Sequence, residues 1–365
     1  MARVSGLQPT IRLRITAFAA ALLVSACAAS PSAQKNPNDA ARGSQTPRWV
    51  TDSAAAFPDS EWLSVVDSAK DKKSAESAAI SGLAQVFRVD LVSVINANQQ
   101  FAQALNAANG EKTAVSSESR DFAQELTSSS NVSGLIGVQT DSWTAKDGTV
   151  YANARMNRRE CSARYTAMIH ENERIIKHLK EEAALQPETF DAFELLELAV
   201  NVARVTDNLH SLLSVLDPSA ISRRPEYGNA EAVKTIALNA ARSIVITIQV
   251  TGDSSGRIAR AFGGYFTSRG FRVNTSGANP YLLSASFALE DVIFANSDNK
   301  YVRYILNCSV KNKDGVEIVS SSENSREGHV TVEEARQRAL RRAETSIATT
   351  GFAAHFDAYL VSLIQ

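Results

Sequence analysis

Hydrophobic positions change period several times along this chain, and the changes mark out its elements. Trp62, Leu63, Val65 and Val66 crowd between Glu61 and Asp67, which predicts a buried strand. From Ser74 the spacing becomes helical, with Ile80, Leu83, Ala84 and Phe87 on one face, Ser74 as cap, and apolar positions continuing through Val89, Val92, Ile95 and Phe101. A solvated break at Asn106–Lys112 precedes a second helix near Ser119–Ser128. Two strands follow, Val132–Trp143 and Gly148–Met156, joined by the Asp147-Gly148 pair that favours a hairpin turn.

Between Glu160 and Leu216 the period is helical again, interrupted at Gln186-Pro187 and stopped at Asp217-Pro218, so an antiparallel helix pair is expected. A loop follows, with Arg223, Arg224 and Pro225 at its centre. Ser243–Val250 reads as a strand, Arg257–Arg269 as a helix stopped by Gly270, and Phe271–Val273 as a short strand. Tyr281–Phe294, Tyr301–Val310 and Val316–Ser322 then alternate as an antiparallel meander, and Thr331 caps a long final helix that resumes from Phe352 to Ile364. The predicted fold class is α+β: two α+β units with antiparallel sheets joined by a helical pair.

Composition adds constraints. A formal net charge of −1 over 365 residues lacks the basic footprint of a nucleic-acid binder, so no nucleic-acid partner is expected. Three cysteines are present. Cys161 and Cys308 fall in different units and are expected as reduced, buried thiols.

Candidate chemistry is sparse. Gly252-Asp253-Ser254-Ser255-Gly256 resembles a protease nucleophile loop in letters, but it joins a strand to a helix and no barrel pattern surrounds it. It lacks the Lys-Ser/Thr of a phosphate loop, leaving Asp253, Ser254 or Ser255 as helix caps. His170 and His178 are eight residues apart, too far along a helix to share one ion. His210, His329 and His355 have no Cys, His or carboxylate at ligand spacing, so no metal and no cofactor are expected. Arg336, Arg338, Arg341 and Arg342 are balanced by Glu333, Glu334 and Glu344 at helical spacing. No catalytic residue is expected, and the chain reads as a non-enzyme.

The N-terminus is more specific. Arg3, Arg12 and Arg14 precede an apolar run from Ile15 to Val24, which ends in Val24-Ser25-Ala26-Cys27. A basic start, a short apolar core and small residues before a cut describe a secretory signal. The cysteine after them resembles a bacterial lipobox, which implies lipidation of Cys27 and a membrane contact through that lipid. Residues 28–47 are rich in Ala, Ser, Asn and Gln, as in a tether. Expected segments are a lipoprotein signal peptide (1–26), a disordered tether (27–46), an N-terminal α+β domain (47–160), a helical connector (161–238) and a C-terminal α+β domain (239–365).

Residues 47–160 carry a further resemblance: Pro47-x-Trp49, the strand ending in small and polar residues, the Ala75-Glu76 and Ala78-Ala79 helix, and the hairpin of Trp143, Asp147, Gly148 and Tyr151. This set is similar to the twenty-kilodalton surface lipoprotein antigen family and to the N-terminal domain of flagellar assembly protein T. The resemblance implies an envelope lipoprotein without enzymatic activity, with envelope or flagellar proteins as partners. Ala28 is not the aspartate that retains a lipoprotein at the inner membrane, which points to the periplasmic side of the outer membrane. The other reading is a ligand-binding lipoprotein that captures a small or envelope-derived molecule between the two α+β units.

Overall fold

The computed structural model describes residues 45–87, 91–108, 113–130, 135–222, 225–277, 280–295 and 297–365. Cys27 and the segments expected as signal and tether lie outside them, except Gln45 and Thr46. Thr46–Gln365 forms one compact unit.

The chain enters through two single-turn helices, Arg48–Thr51 and Ser53–Ala56, then runs through β1 (Trp62–Ala69), α1 (Lys72–Phe87), α2 (Leu91–Ala107) and α3 (Ser117–Ser130). The hairpin β2 (Gln139–Thr144) and β3 (Val150–Asn157) completes a three-stranded antiparallel sheet in the order β1-β3-β2. Gly148 adopts φ +87° in the turn, as the Asp-Gly pair predicts. Ser74 is not the cap of α1. Asp71 is, its carboxylate accepting from the Ser74 N–H at 2.9 Å and the Ser74 hydroxyl at 2.7 Å. Leu135-Ile136-Gly137 is likewise not strand. These residues turn ahead of β2, with Leu135 and Ile136 buried, and the Tyr165 hydroxyl accepts from the Ile136 N–H at 3.1 Å.

α4 (Arg158–Leu185) and α5 (Phe190–Leu216) are the expected antiparallel pair, followed by α6 (Ala230–Ser243), which the sequence pattern did not single out. Most of this helical layer packs into the first core: Ile175, Ile176 and Leu179 of α4, Leu195 to Leu216 of α5, and Val233 and Ala237 of α6, together with Leu83, Phe101, Ala152 and Met156.

A second sheet holds β4 (Val245–Thr251), β5 (Arg272–Asn274), β6 (Tyr281–Val292), β7 (Lys300–Lys311) and β8 (Glu317–His329), in the order β5-β4-β6-β7-β8. The β6-β7-β8 meander is antiparallel as expected, whereas β4 runs parallel to both β5 and β6. The crossover α7 (Arg257–Ser268) returns the chain to the starting end of β4 and so makes β5 parallel to it, and β6 starts again from the same end after β5. α8 (Val332–Ala348) and α9 (Phe352–Ser362) share with α7 the buried face of this sheet, where Leu283, Phe287, Tyr304, Leu306 and Val310 meet Phe262, Phe266, Leu340 and Phe356.

Two residues of α5 belong to this second core. Phe190 packs against Tyr281 (4.1 Å between ring centroids), Phe356 (5.2 Å) and Phe271 (5.3 Å), and its N–H donates to the Tyr281 hydroxyl at 3.3 Å. Phe193 meets Phe271 at 4.9 Å. Thr189 caps the helix just ahead of them, accepting from the Ala192 N–H at 3.1 Å. Phe190→Ala is expected to cost about 3–5 kcal/mol, as for large aromatic truncations in a core. A thermal melt should show it, and a loss under 1 kcal/mol would mean that the second core closes without α5.

A second tie holds the first core together. The Glu171 carboxylate of α4 accepts from Arg174 (2.7 Å), Ser116 (3.0 Å) and Ser119 at the start of α3. Its hydrogen bond with Arg174 is the largest influence; burial, next in size, pushes the other way, and Ser119 and Ser116 help Arg174 hold the carboxyl down at about 2. The folded value lies below the ordinary 4.5, so this stabilisation is complete above about 4.5 and is lost as pH falls towards 2. Glu171→Gln should therefore lower stability by about 1–2 kcal/mol at pH 7, after allowance for solvent screening. The gap to the natural chain should close in acid when urea melts are compared across pH.

Candidate functional site

Burial alternates along β6 from Tyr281 to Phe287 and along β7 from Val302 to Val310. Leu283, Ala285 and Phe287 of β6 and Val302, Tyr304, Leu306, Cys308 and Val310 of β7 are buried, while none of their alternating neighbours is. The meander thus leaves one face open to solvent, an arrangement that antiparallel sheets permit. Register places its residues in rows across the strands. One row is Gln249, Ser284, Ser309 and Ser320, and the next is Thr251, Ser286, Asn307 and Ser322. The Ser322 hydroxyl donates to the Asn307 carbonyl at 2.6 Å, linking β8 to β7. A groove of about 640 Å³ follows these two rows, with His355 and Glu317 also in its lining.

Towards the far end the face changes character. Ala288, Ile305 and Asn324 form a transitional row, then Glu290, Arg303 and Arg326, then Val292, Tyr301 and Gly328. A Cβ at Gly328 would stand 2.6 Å from the Tyr301 ring, so glycine is what lets that ring lie across the strand. Phe294 meets Tyr301 edge-on at 4.9 Å, and the Arg326 guanidinium lies 4.7 Å from the Phe294 ring and 5.6 Å from the Tyr301 ring. Beside this stack Ile293 is 92% exposed and Val330 69%. Aromatic, arginine and aliphatic side chains exposed together are the composition of protein-contact hot spots.

Apart from His355 and Cys308, which border the groove, the residues singled out from sequence fall elsewhere. Asp253 is the effective cap of α7, accepting from the Arg257 N–H at 3.1 Å and the Ala259 N–H at 2.9 Å, while Ser255 donates to it at 3.1 Å. Arg336 pairs with Asp291 of β6 (2.9 Å), and Glu334 takes Arg341 (2.7 Å) and Arg338 (3.9 Å). Glu344 reaches Arg257 of α7 at 2.6 Å, across to another helix rather than within its own. Cys161 and Cys308 are buried and unbridged, and burial pushes their thiols up to about 11 and about 12. Neither is a nucleophile at neutral pH. Among the described residues no group of three or more His, Cys, Asp or Glu is placed to hold a metal, and no helix is long and apolar enough to cross a membrane.

One grouping was not visible in the sequence. His210 of α5 lies with its Nε2 3.9 Å from Glu173 of α4, and both line an 80 Å³ cavity with His170. Burial lowers the His210 imidazole, with Glu173 and Asp207 pulling the other way. Glu173 also borders a 530 Å³ cleft lined by Ile176, Lys177, Lys180 and Tyr227, whose hydroxyl donates to Asp207 at 2.8 Å. His210 and Glu173 are 37 positions apart and meet only because α4 and α5 pack side by side, so no local spacing announces them.

No protein family's sequence profile matches the chain, and no curated protein matches it either. Solved structures do show similarity. A minor lipoprotein from Acinetobacter baumannii is 11% identical, with 32% of this chain and 92% of that one covered and a TM-score of 0.25. A secreted protein from Helicobacter pylori is 12% identical, with 79% and 96% covered and a TM-score of 0.38. Similarity this distant says nothing about activity.

The cap gives a direct test. Asp253→Ala should cost about 0.5–2 kcal/mol, as cap losses do. Ser255→Ala should cost less, because the Ser255 hydroxyl approaches the Arg257 N–H only at 3.4 Å. Denaturant melts of the two variants check the order, and a reversed order would make Ser255 more than part of the turn.

Proposed function

We propose that this chain is a non-enzymatic lipoprotein of the bacterial envelope. Lipid on Cys27 would hold it at the outer membrane, facing the periplasm. It acts there as an interaction or assembly factor for a cell-envelope or flagellar structure, in keeping with the family resemblance of residues 47–160. The observation that carries the contact role is the open sheet face ending in the exposed stack of Phe294, Tyr301 and Arg326 beside Ile293. Folded chains seldom leave such a cluster in water without a use for it. The anchoring part rests on the N-terminal sequence alone.

Two substitutions separate the parts of this reading. Cys27→Ser should move the protein from the membrane fraction to the soluble one, or leave it unprocessed, since stable anchoring takes more than one acyl chain. A natural chain that is soluble and carries no lipid would end the lipoprotein reading. Ile293→Ser combined with Phe294→Ala should abolish cross-linking to partners in intact cells. Stability should change by only about 0.5–1 kcal/mol, because both side chains stand at the surface. Unchanged cross-links would move the contact surface elsewhere.

A ligand-binding role is the second reading, favoured by the 530 Å³ cleft and the convergence of His170, Glu173 and His210 next to it. On that reading, substitutions at Tyr227 and Lys180 abolish function and those at Phe294 do not.

A further inference from the structure

β8 closes the five-stranded sheet on one side, with β7 along its inner edge and no strand along its outer one. It runs for 13 residues and pairs with β7 residue for residue from Val319 to His329, its one irregularity lying at its start, where Glu317 faces Lys311. Edge strands are usually blunted by shortness, by proline or lysine, or by a bulge along their length. Val319–His329 has no proline, no lysine and no bulge. Among the described residues, one hydrogen bond reaches the β8 backbone from outside β7, from Arg338 of α8 to the Gly328 carbonyl at 3.3 Å. The two charged side chains nearest the middle of the strand are already held by groups of their own chain. Glu323, on the helix side, accepts from the Tyr304 hydroxyl and from the Ser346 hydroxyl of α8 at 2.5 Å. Arg326, on the open face, lies against the Phe294 and Tyr301 rings.

We propose that two copies of this chain meet at β8, each strand adding antiparallel to the other about a twofold axis through Asn324, so that their sheets become one continuous sheet. Residues that face each other across an antiparallel pair share a sheet face, so the axis passes through a residue and not between two. The sequence of the strand then selects which residue. Centred on Asn324, the whole regular stretch is paired: Val319 faces His329 of the second copy, Ser320 faces Gly328, Ser321 faces Glu327, Ser322 faces Arg326 and Glu323 faces Ser325. Every charged group meets a hydroxyl, and the Asn324 amide, which both donates and accepts, meets its own equivalent. Centring on Glu323 or Arg326 sets like charges directly opposite, and centring on Ser325 sets Glu323 against Glu327. Centres nearer either end leave much of the stretch without a partner. A second copy is therefore the occupant that fits, because the strand is its own complement. This pairing goes beyond the contact reading above and does not rest on it. It sets Ser320 and Ser322 of each copy beside Gly328 and Arg326 of the other, so the hydroxyl rows of one open face run on into the aromatic end of the next.

Sedimentation of the purified full chain, together with a thiol placed on the axis, tests this. The natural chain should be a dimer at micromolar concentration. Asn324→Cys should give a dimer linked through the new thiol on mild oxidation, since facing Cα atoms stand about 4.5–5.5 Å apart and a disulfide needs about 4.4–6.8 Å. Ser320→Cys should not, because its equivalent would lie about 27 Å away at roughly 3.4 Å per residue. Cys161 and Cys308 are buried, and peptide mapping separates the new bond from any through Cys27. Asn324→Lys, which sets two ammonium groups across the axis, should raise the dimer dissociation constant about fivefold or more. Asn324 is exposed, so circular dichroism should be unchanged in both variants at that position. A natural chain that stays monomeric overturns the proposal and leaves the edge to a strand of another protein. A dimer that neither cross-links in Asn324→Cys nor weakens in Asn324→Lys overturns it too, since its interface then lies elsewhere.

Discussion

Helix α5 is shared between two hydrophobic cores, and the placement of everything else follows from that. Twenty-seven residues of α-helix make a rod of about 40 Å. Most of its buried positions, from Leu195 to Leu216, face the first core, while Phe190 and Phe193 at its start fill the second. A rod fixed at both ends transmits position. Phe190 is fully buried and touches β6, α9 and the strand entry at Phe271 at once, so it sets how the helical layer meets the second sheet. The chain accepts an unfavourable backbone to achieve this. Glu188 sits at φ +62°, a left-handed conformation that side chains with a Cβ seldom adopt, in the short turn that sends α5 back along α4.

The two sheets use their faces differently. In the three-stranded sheet the face opposite α1 is roofed by the N-terminal segment. Ser53 bonds Ser64 at 3.3 Å, Phe57 packs edge-on to Trp62, and the Arg155 guanidinium lies 4.7 Å from the Phe57 ring. Even Asn153 on that side is buried, donating to Ser64 at 2.7 Å. Among the described residues the five-stranded sheet has no such roof over β6, β7 and β8. Its open rows carry hydroxyls and amides where strands usually favour branched or aromatic residues. Apolar side chains return at the end that bears Tyr301 and Phe294.

Elements with strong local signals were legible in the sequence. The Asp147-Gly148 turn, the α4–α5 pair broken at Pro187 and the β6-β7-β8 meander each rest on a period or a turn that neighbours in sequence decide. Thr331 was read as the cap of the last long helix, and it does accept from the Glu334 N–H at 3.3 Å. Features that the apolar pattern does not mark, or that distant residues set, were not legible. Ser74 loses the α1 cap to Asp71, three positions earlier, because the helix starts a turn sooner than the apolar pattern does. The parallel pairing of β4 depends on α7 returning the chain to the starting end of the strand, and strand composition does not carry that. The stack at the open face needed register, since only the pairing of Tyr301 with Gly328 shows why the ring lies flat.

The candidate contact face and the joint with its unpaired acids occupy opposite ends of a physical argument about stability. Ile293 and Phe294 contribute little to folding relative to core residues, because much of their apolar surface stays in water; what they offer is area for something else to bury. Glu194 and Glu197 oppose folding outright when ionised, since half-buried carboxylates lose water without gaining a dedicated partner. Phe190 and Phe193 plug the start of α5 into the second core, and the two half-buried acids beside them oppose burial at that joint. The Glu171 tie lies away from that joint, between α4 and the start of α3. The two cores meet at the first two turns of α5, where the aromatic plug and the acids lie side by side, and at the end of α6, whose Ala241 is buried in the second core.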